Sequence, residues 1–212
     1  MKLYSMIDSG NSYKVRLLLS KLGLAYEHVA TSSRDGSTRT PEFRAKNPIG
    51  RVPLLELDDG RYLAESNAIL LYLAEGTQYV PDERYERAKV FEWLFFEQYS
   101  HEPYIAVRRA LLTYPERADQ ATPERLEQTL AGGRHALSVM EIQLKKTPFL
   151  VGKALTVADI SLYAYTHDAE VGGFDLSEYP AVSAWLERVA AEPGHVPMRD
   201  PQLQAAPAVT VS

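Results

Sequence analysis

The sequence predicts an α/β module followed by an all-α helical bundle, and three observations carry that reading. Short apolar runs with strand character alternate with helical patterns through residues 1–77. Over residues 84–200 the apolar residues recur only at helical spacing. Between two β-forming runs, Asp58-Asp59-Gly60 supplies the reversal of a tight hairpin, which ends the first module on an antiparallel pair.

Each element has its own signal. Lys2–Met6 reads as a strand, and Tyr13–Leu22 as an amphipathic helix closed by Gly23. Tyr26–Ala30 is a second strand, followed by the polar loop SSRDGSTRTPEF with a short helix from Pro41. Val52–Leu57 and Arg61–Leu63 form the hairpin, with positive φ angles expected across Asp58-Asp59-Gly60. Ala68, Ile69, Leu71, Tyr72 and Leu73 then repeat with a helical period, and Ser66 is the natural N-cap. The order βαβ-α-ββα places two parallel strands before an antiparallel pair.

In the second module, Arg84–Leu112 reads as one long helix, bent where Pro103 removes an amide and crowds the preceding turn. Thr122-Pro123 caps and opens a helix running to Lys145-Lys146. Thr156-Val-Ala-Asp159 is a capping box in its acidic form and opens a helix toward His167. Asp159 is explained by that role alone. Ala181–Ala191 is the last helix, and a Pro- and Ala-rich tail occupies 201–212.

Composition removes several functions. The chain has 212 residues, 45% hydrophobic and 24% charged, as soluble globular proteins do. A formal net charge of −5, with 23 dispersed Lys and Arg, argues against a nucleic-acid binder. No apolar run approaches the roughly 18 residues of a membrane span. The N-terminus lacks the apolar core of a signal peptide, so the expectation is a cytoplasmic protein without a membrane partner. The sequence contains no cysteine, which removes disulfides, Cys metal sites and any protein thiol nucleophile. Thiol chemistry must arrive with a substrate. Five histidines lie far apart without HExxH spacing, so no metal is expected.

Asn47–Glu75 (NPIGRVPLLELDDGRYLAESNAILLYLAE) is the most informative stretch. Pro53 cannot donate to a ladder, so it marks an edge or a cis bond that turns the peptide groups of Val52 outward. The acidic-hydroxyl pair Glu65-Ser66 stands at a helix start, where amides and dipole favour an anion. Taken singly these are a strand start, a turn and a cap. In this order they can hold a small, extended, anionic peptide by its backbone and its carboxylate.

The strand order, the linker and the motif over Asn47–Ser66 together resemble the glutathione transferase superfamily, across roughly residues 1–199. The resemblance implies a thioredoxin-like first module and glutathione as co-substrate. It implies that Val52, ahead of a cis Pro53, pairs with the cysteinyl unit, and that Glu65 and Ser66 meet the γ-glutamyl end. Ser9-Gly10-Asn11-Ser12-Tyr13-Lys14-Val15-Arg16 is similar to the serine-type loops of the theta and zeta classes, which makes Ser9 the thiol-activating residue. Its hydroxyl would donate to the glutathione sulfur and favour the thiolate, a bond worth about 1.5–3 kcal/mol, or one to two pKa units. Asn11 is a second candidate donor. Ser12 reads as a helix cap, and capping is the alternative role for Ser9 as well. Gly10 and Asn11 depart from the zeta pattern, which weighs against maleylacetoacetate isomerisation.

Arg51 is a candidate for the glycyl carboxylate, and Arg39 a weaker one. Glu97, His101, Tyr104 and Arg108 fall at i, i+4, i+7 and i+11 on one helical face. That face is expected toward a partner subunit, a second-substrate cleft or solvent. Phe91, Trp93, Leu94, Phe95 and Phe96 read as core and interface packing. The expected activity is a homodimeric transferase joining glutathione to a small, hydrophobic electrophile. The alternatives are a glutathione-dependent isomerase, lyase, dehalogenase or peroxidase, or a non-catalytic interaction protein on the same fold.

Overall fold

The computed structural model describes residues 1–204 and divides into two units. Met1–Ala74 forms the first together with the chain from Pro193, and Glu75–Glu192 forms the second. The expected tail lies outside the described residues from 205 on.

In the first unit, β1 (Lys2–Ser5), β2 (Glu27–Ala30), β3 (Leu54–Glu56) and β4 (Tyr62–Ala64) make a four-stranded sheet in the order β2-β1-β3-β4. β1 and β2 are parallel; β3 runs antiparallel to both β1 and β4. This is a thioredoxin-like arrangement. The register sets Leu3 beside Leu55 on one face, where Val15 and Leu19 of α1 (Gly10–Lys21) and Ile69 of α3 (Ser66–Ala74) bury them. The neighbouring residue Tyr4 points to the other face and meets Phe43 of α2 (Pro41–Lys46) edge to face. The sheet is thus a middle layer.

The first strand of the hairpin is shorter than expected, and residues 57–61 connect it to the second. β3 starts at Leu54 because Pro53 brings no N–H to the ladder. Across the turn only Gly60 has positive φ (81°). Asp59 instead accepts from the Arg61 amide through its side chain, at 3.1 Å.

The second unit is helical. The expected long helix is two, α4 (Arg84–Phe96) and α5 (Glu102–Thr113), joined by a π turn over Glu97–His101. Pro103 sits in the first turn of α5, where it needs no partner for its missing N–H, and the wider turn before it absorbs the steric conflict. α6 (Pro123–Leu144) starts on a Thr122 cap as expected. Gly132 and Gly133 lie within it, and a Cβ at either would meet the Tyr104 or Phe174 ring at 2.2–2.3 Å. α7 (Val157–Thr166) opens on the capping box, and α8 (Pro180–Ala191) comes after it.

Asp159 is fully buried. Its Oδ1 accepts from the Leu150 amide (2.8 Å) and Trp185 Nε1 (2.9 Å), and its Oδ2 from the amide (2.9 Å) and hydroxyl (3.0 Å) of Thr156. Burial pushes its pKa up, and these hydrogen bonds oppose that shift.

The helical unit ends at Glu192, short of the expected 200, because the first unit captures the chain from Pro193 onward. Lys21 Nζ donates to the Pro193 carbonyl (3.2 Å), the Tyr13 hydroxyl to that of Val196 (2.7 Å), and Arg16 Nη2 to that of Met198 (2.8 Å). Arg16 also donates to the carbonyls of Met6 (3.1 Å) and Ile7 (2.8 Å), so one buried guanidinium fixes the loop after β1 and the returning chain.

Candidate functional site

The loop between β1 and α1 carries the first group of candidates. Ser9 is the N-cap of α1: its backbone is extended (φ −85°, ψ 119°) and its Oγ accepts from the Ser12 amide at 3.3 Å. The helix therefore begins at Gly10, ahead of the expected Tyr13. Ser12 corrects the expectation of a cap. It is fully buried, and its Oγ accepts from the Met6 amide (3.3 Å), closing the loop from inside. Ser9 and Asn11 stay part-exposed on the outer side of the same turn.

The second group surrounds Pro53. The Val52-Pro53 peptide bond is cis, as one of the two readings required. Asn47, almost fully buried, shapes the approach: its Nδ2 donates to the Arg51 carbonyl (2.8 Å), and its Oδ1 accepts from the Ile49 amide (3.1 Å). Gly50 has φ +68°, and a Cβ there would lie 2.9 Å from the Thr38 carbonyl oxygen, so glycine is required. Val52 thus precedes the sheet on a fixed loop, and the Arg51 side chain extends outward.

The third group is the start of α3, where a second correction applies. Glu65, not Ser66, holds the N-cap place: its carbonyl accepts from the Ile69 amide at 2.9 Å. Its φ of 67° makes it the non-glycine residue with positive φ among those described. A glutamate held in that region costs on the order of 1 kcal/mol and persists only when its surroundings impose it. The twist leaves the Glu65 side chain exposed and turns Ser66 inward to 4% exposure.

Ser66 then joins two elements. Its hydroxyl donates to Asn11 Oδ1 (3.1 Å) and accepts from Lys14 Nζ (3.3 Å), which also reaches Asn67 Oδ1 (3.5 Å). Lys14 is fully buried on α1. Ser9, Asn11 and Ser66 were expected at one site, and Asn11 and Ser66 are in contact. Lys14 is not among the expected site residues, and its one signal in the sequence is a cation set among the apolar residues of α1. Arg39 is exposed at the end of the polar loop.

The polar stripe of the long helix does not form the expected outer face. His101 is fully buried, with Nε2 2.9 Å from Thr166 Oγ1, and the Thr166 hydroxyl itself donates to the Leu162 carbonyl. Tyr104 lies over Gly132, and Arg108 donates to the carbonyls of Gly172 (2.6 Å) and Leu126 (2.5 Å). Glu97 is buried beside Gln98. The π turn changes the phase of the helix, so these residues tie the helical unit together. Around the π turn, Phe95 (74%) and Tyr99 (83%) are exposed instead.

Fold and site define a two-unit protein: a thioredoxin-like unit with a cis-proline loop and a strained acidic-Ser turn, continued by a helical unit. The chain belongs to the glutathione S-transferase family. It matches the family models "Glutathione S-transferase, N-terminal domain" over residues 1–75 and "Glutathione S-transferase, C-terminal domain" over residues 97–193. A glutathione S-transferase of Pseudomonas fluorescens is 52% identical, with a TM-score of 0.91 over 94% of this chain and 98% of that one. The disulfide-bond oxidoreductase YfcG of Escherichia coli is 30% identical over 86% of this chain and 87% of its own length. The glutathione transferase URE2P6 of Phanerochaete chrysosporium, solved with oxidised glutathione, is 28% identical, with a TM-score of 0.81 and 91% of each chain covered. Among the described residues no helix is long and apolar enough to cross a membrane.

Proposed function

We propose that this protein binds glutathione in its first unit, stabilises the thiolate, and directs it at a small electrophile. The observation that carries this reading is the meeting of Asn11 and Ser66, which brings the loop after β1 to the start of α3. The γ-glutamyl carboxylate lies at the first amides of α3, beside Ser66, where the amide donors and the helix dipole favour an anion. Glu65, turned outward, takes the γ-glutamyl ammonium. The Val52 backbone pairs with the cysteinyl unit, and Arg51 reaches the glycyl carboxylate. Ser9 or Asn11 then donates to the sulfur. With no cysteine in the chain, the reacting thiol is glutathione's own. Rate enhancement comes from thiolate stabilisation and from holding two reactants together. Exposed Phe95 and Tyr99 support a homodimer, since large exposed aromatics mark interfaces. The cytoplasm, where glutathione is plentiful, is the compartment that suits this chemistry.

Conjugation of glutathione to an aryl halide tests the reading. Ser9→Ala and Asn11→Ala should each lower kcat/KM, the larger loss identifying the sulfur donor. Equal rates for wild type and both variants would remove the assigned chemistry. Similarity to a disulfide-bond oxidoreductase favours a second reaction at the same site. There the bound thiolate attacks the glutathionyl sulfur of a mixed disulfide, forming oxidised glutathione and releasing the other thiolate, which is then protonated. Turnover of a glutathione mixed disulfide without aryl conjugation would select it.

A further inference from the structure

We propose that Lys14 is a positioning residue that couples the grip on the γ-glutamyl end to activation of the thiol. The inference rests on the glutathione reading above and adds a residue and a route to it. A serine hydroxyl has one proton and two acceptor positions. Lys14 Nζ, 3.3 Å from Ser66 Oγ, has only protons to give, so Ser66 accepts there. The Ser66 proton goes to Asn11 Oδ1 at 3.1 Å. Asn11 is therefore held with its carbonyl end against α3 and its NH2 group turned away from Ser66. That orientation makes Asn11 a donor to a sulfur at the outer side of the loop. The flipped amide would leave an acceptor there and oppose the thiolate.

Burial strengthens the effect. Lys14 is fully buried and Ser66 nearly so, so their interaction is little screened by water. A charged donor also polarises the Ser66 hydroxyl, and the hydroxyl in turn the Asn11 carbonyl, which makes the NH2 protons better donors. A lysine serving only to fasten α1 to α3 would need no such directed chain.

The experiment measures two quantities for each variant: the dissociation constant of glutathione, by calorimetry, and the pH midpoint of thiolate formation in the complex, by ultraviolet absorbance. Lys14→Met, close in length and uncharged, should raise the midpoint by about one unit and lower kcat/KM at neutral pH about tenfold. Lys14→Arg should recover part of the shift. In an Asn11→Ala background, Lys14→Met should add no further shift, because the route through Asn11 is already cut. Ser66→Ala, which keeps the cation, should reproduce the rise, and it decides the question alone if Lys14→Met does not fold. An unchanged midpoint in Ser66→Ala or in folded Lys14→Met, or additive shifts in the double variant, would overturn the proposal while the wild-type protein still binds glutathione. A wild-type protein that binds no glutathione would overturn the underlying reading, and this inference with it.

Discussion

Lys14 and Asp159 are both fully buried charged side chains, one in each unit, and they are used differently. Asp159 is consumed by its own fold: both oxygens are filled by donors from Leu150, Thr156 and Trp185, all within the helical unit. Lys14 instead feeds a chain that runs through Ser66 to Asn11 and ends at a part-exposed side chain. A buried charge closed on all sides is a determinant of structure. One whose hydrogen bonds lead outward to a positively twisted turn can serve a ligand. The difference lies in where the partners point, since burial is the same.

Substitution at either charge network separates the two uses. Asp159→Leu should have the largest effect, roughly 4 kcal/mol of lost stability, because four donors are left unpaired in the core. Both tryptophans, Trp93 and Trp185, lie in the helical unit, so their fluorescence in urea reports this directly. A loss below about 1 kcal/mol would remove Asp159 as a determinant of the fold. Ser66→Ala is the opposite case. Glutathione binding should weaken about 10-fold, because the contact that holds Asn11 against the start of α3 is lost, while stability falls less than for Asp159→Leu, by about 1–3 kcal/mol, since Lys14 keeps the Asn67 acceptor.

Glu141→Gln probes the structural side more finely. Glu141 Oε2 accepts from the Ala181 and Val182 amides (2.9 and 3.0 Å) at the start of α8. Its replacement should cost about 1 kcal/mol and leave glutathione affinity unchanged in calorimetry.

The smallest effect concerns His28, whose Nε2 lies 2.8 Å from Ser5 Oγ in the first unit. Burial, and then the charge of Arg16, lower its pKa below the ordinary value. The unfolded chain therefore takes up the proton first, and stability falls as pH drops below about 6.5. His28→Gln should flatten the slope of Tm against pH between about 5 and 7, measured by far-ultraviolet circular dichroism.

The elements legible in the sequence were those with local causes. Gly23 closes α1 at φ 64°, Thr122 caps α6, and the Thr156–Asp159 box opens α7, each as its residue type dictates. The misread elements depend on distant neighbours. Ser66 looked like a cap because serine suits that place, yet Glu65 occupies it in a conformation that residue propensity disfavours. The stripe from Glu97 to Arg108 assumed an unbroken α period, and one π turn was enough to rotate its members into the helical unit. Nothing local in the sequence marks the capture of the Met198 carbonyl by Arg16, 182 residues away.

Residue order alone specified the succession of elements, a proline before β3 that marks either an edge or a cis bond, the acidic-Ser pair and the absence of a protein thiol. Their causes are short-range sterics, hydrophobic period and composition. Which polar groups meet was settled in three dimensions. Lys14 and Ser66 are 52 residues apart and come together because α1 and α3 bury their apolar sides on the same face of the sheet. A direction of hydrogen bonding across two packed helices has no trace in local propensity, because it exists only once both helices are in place.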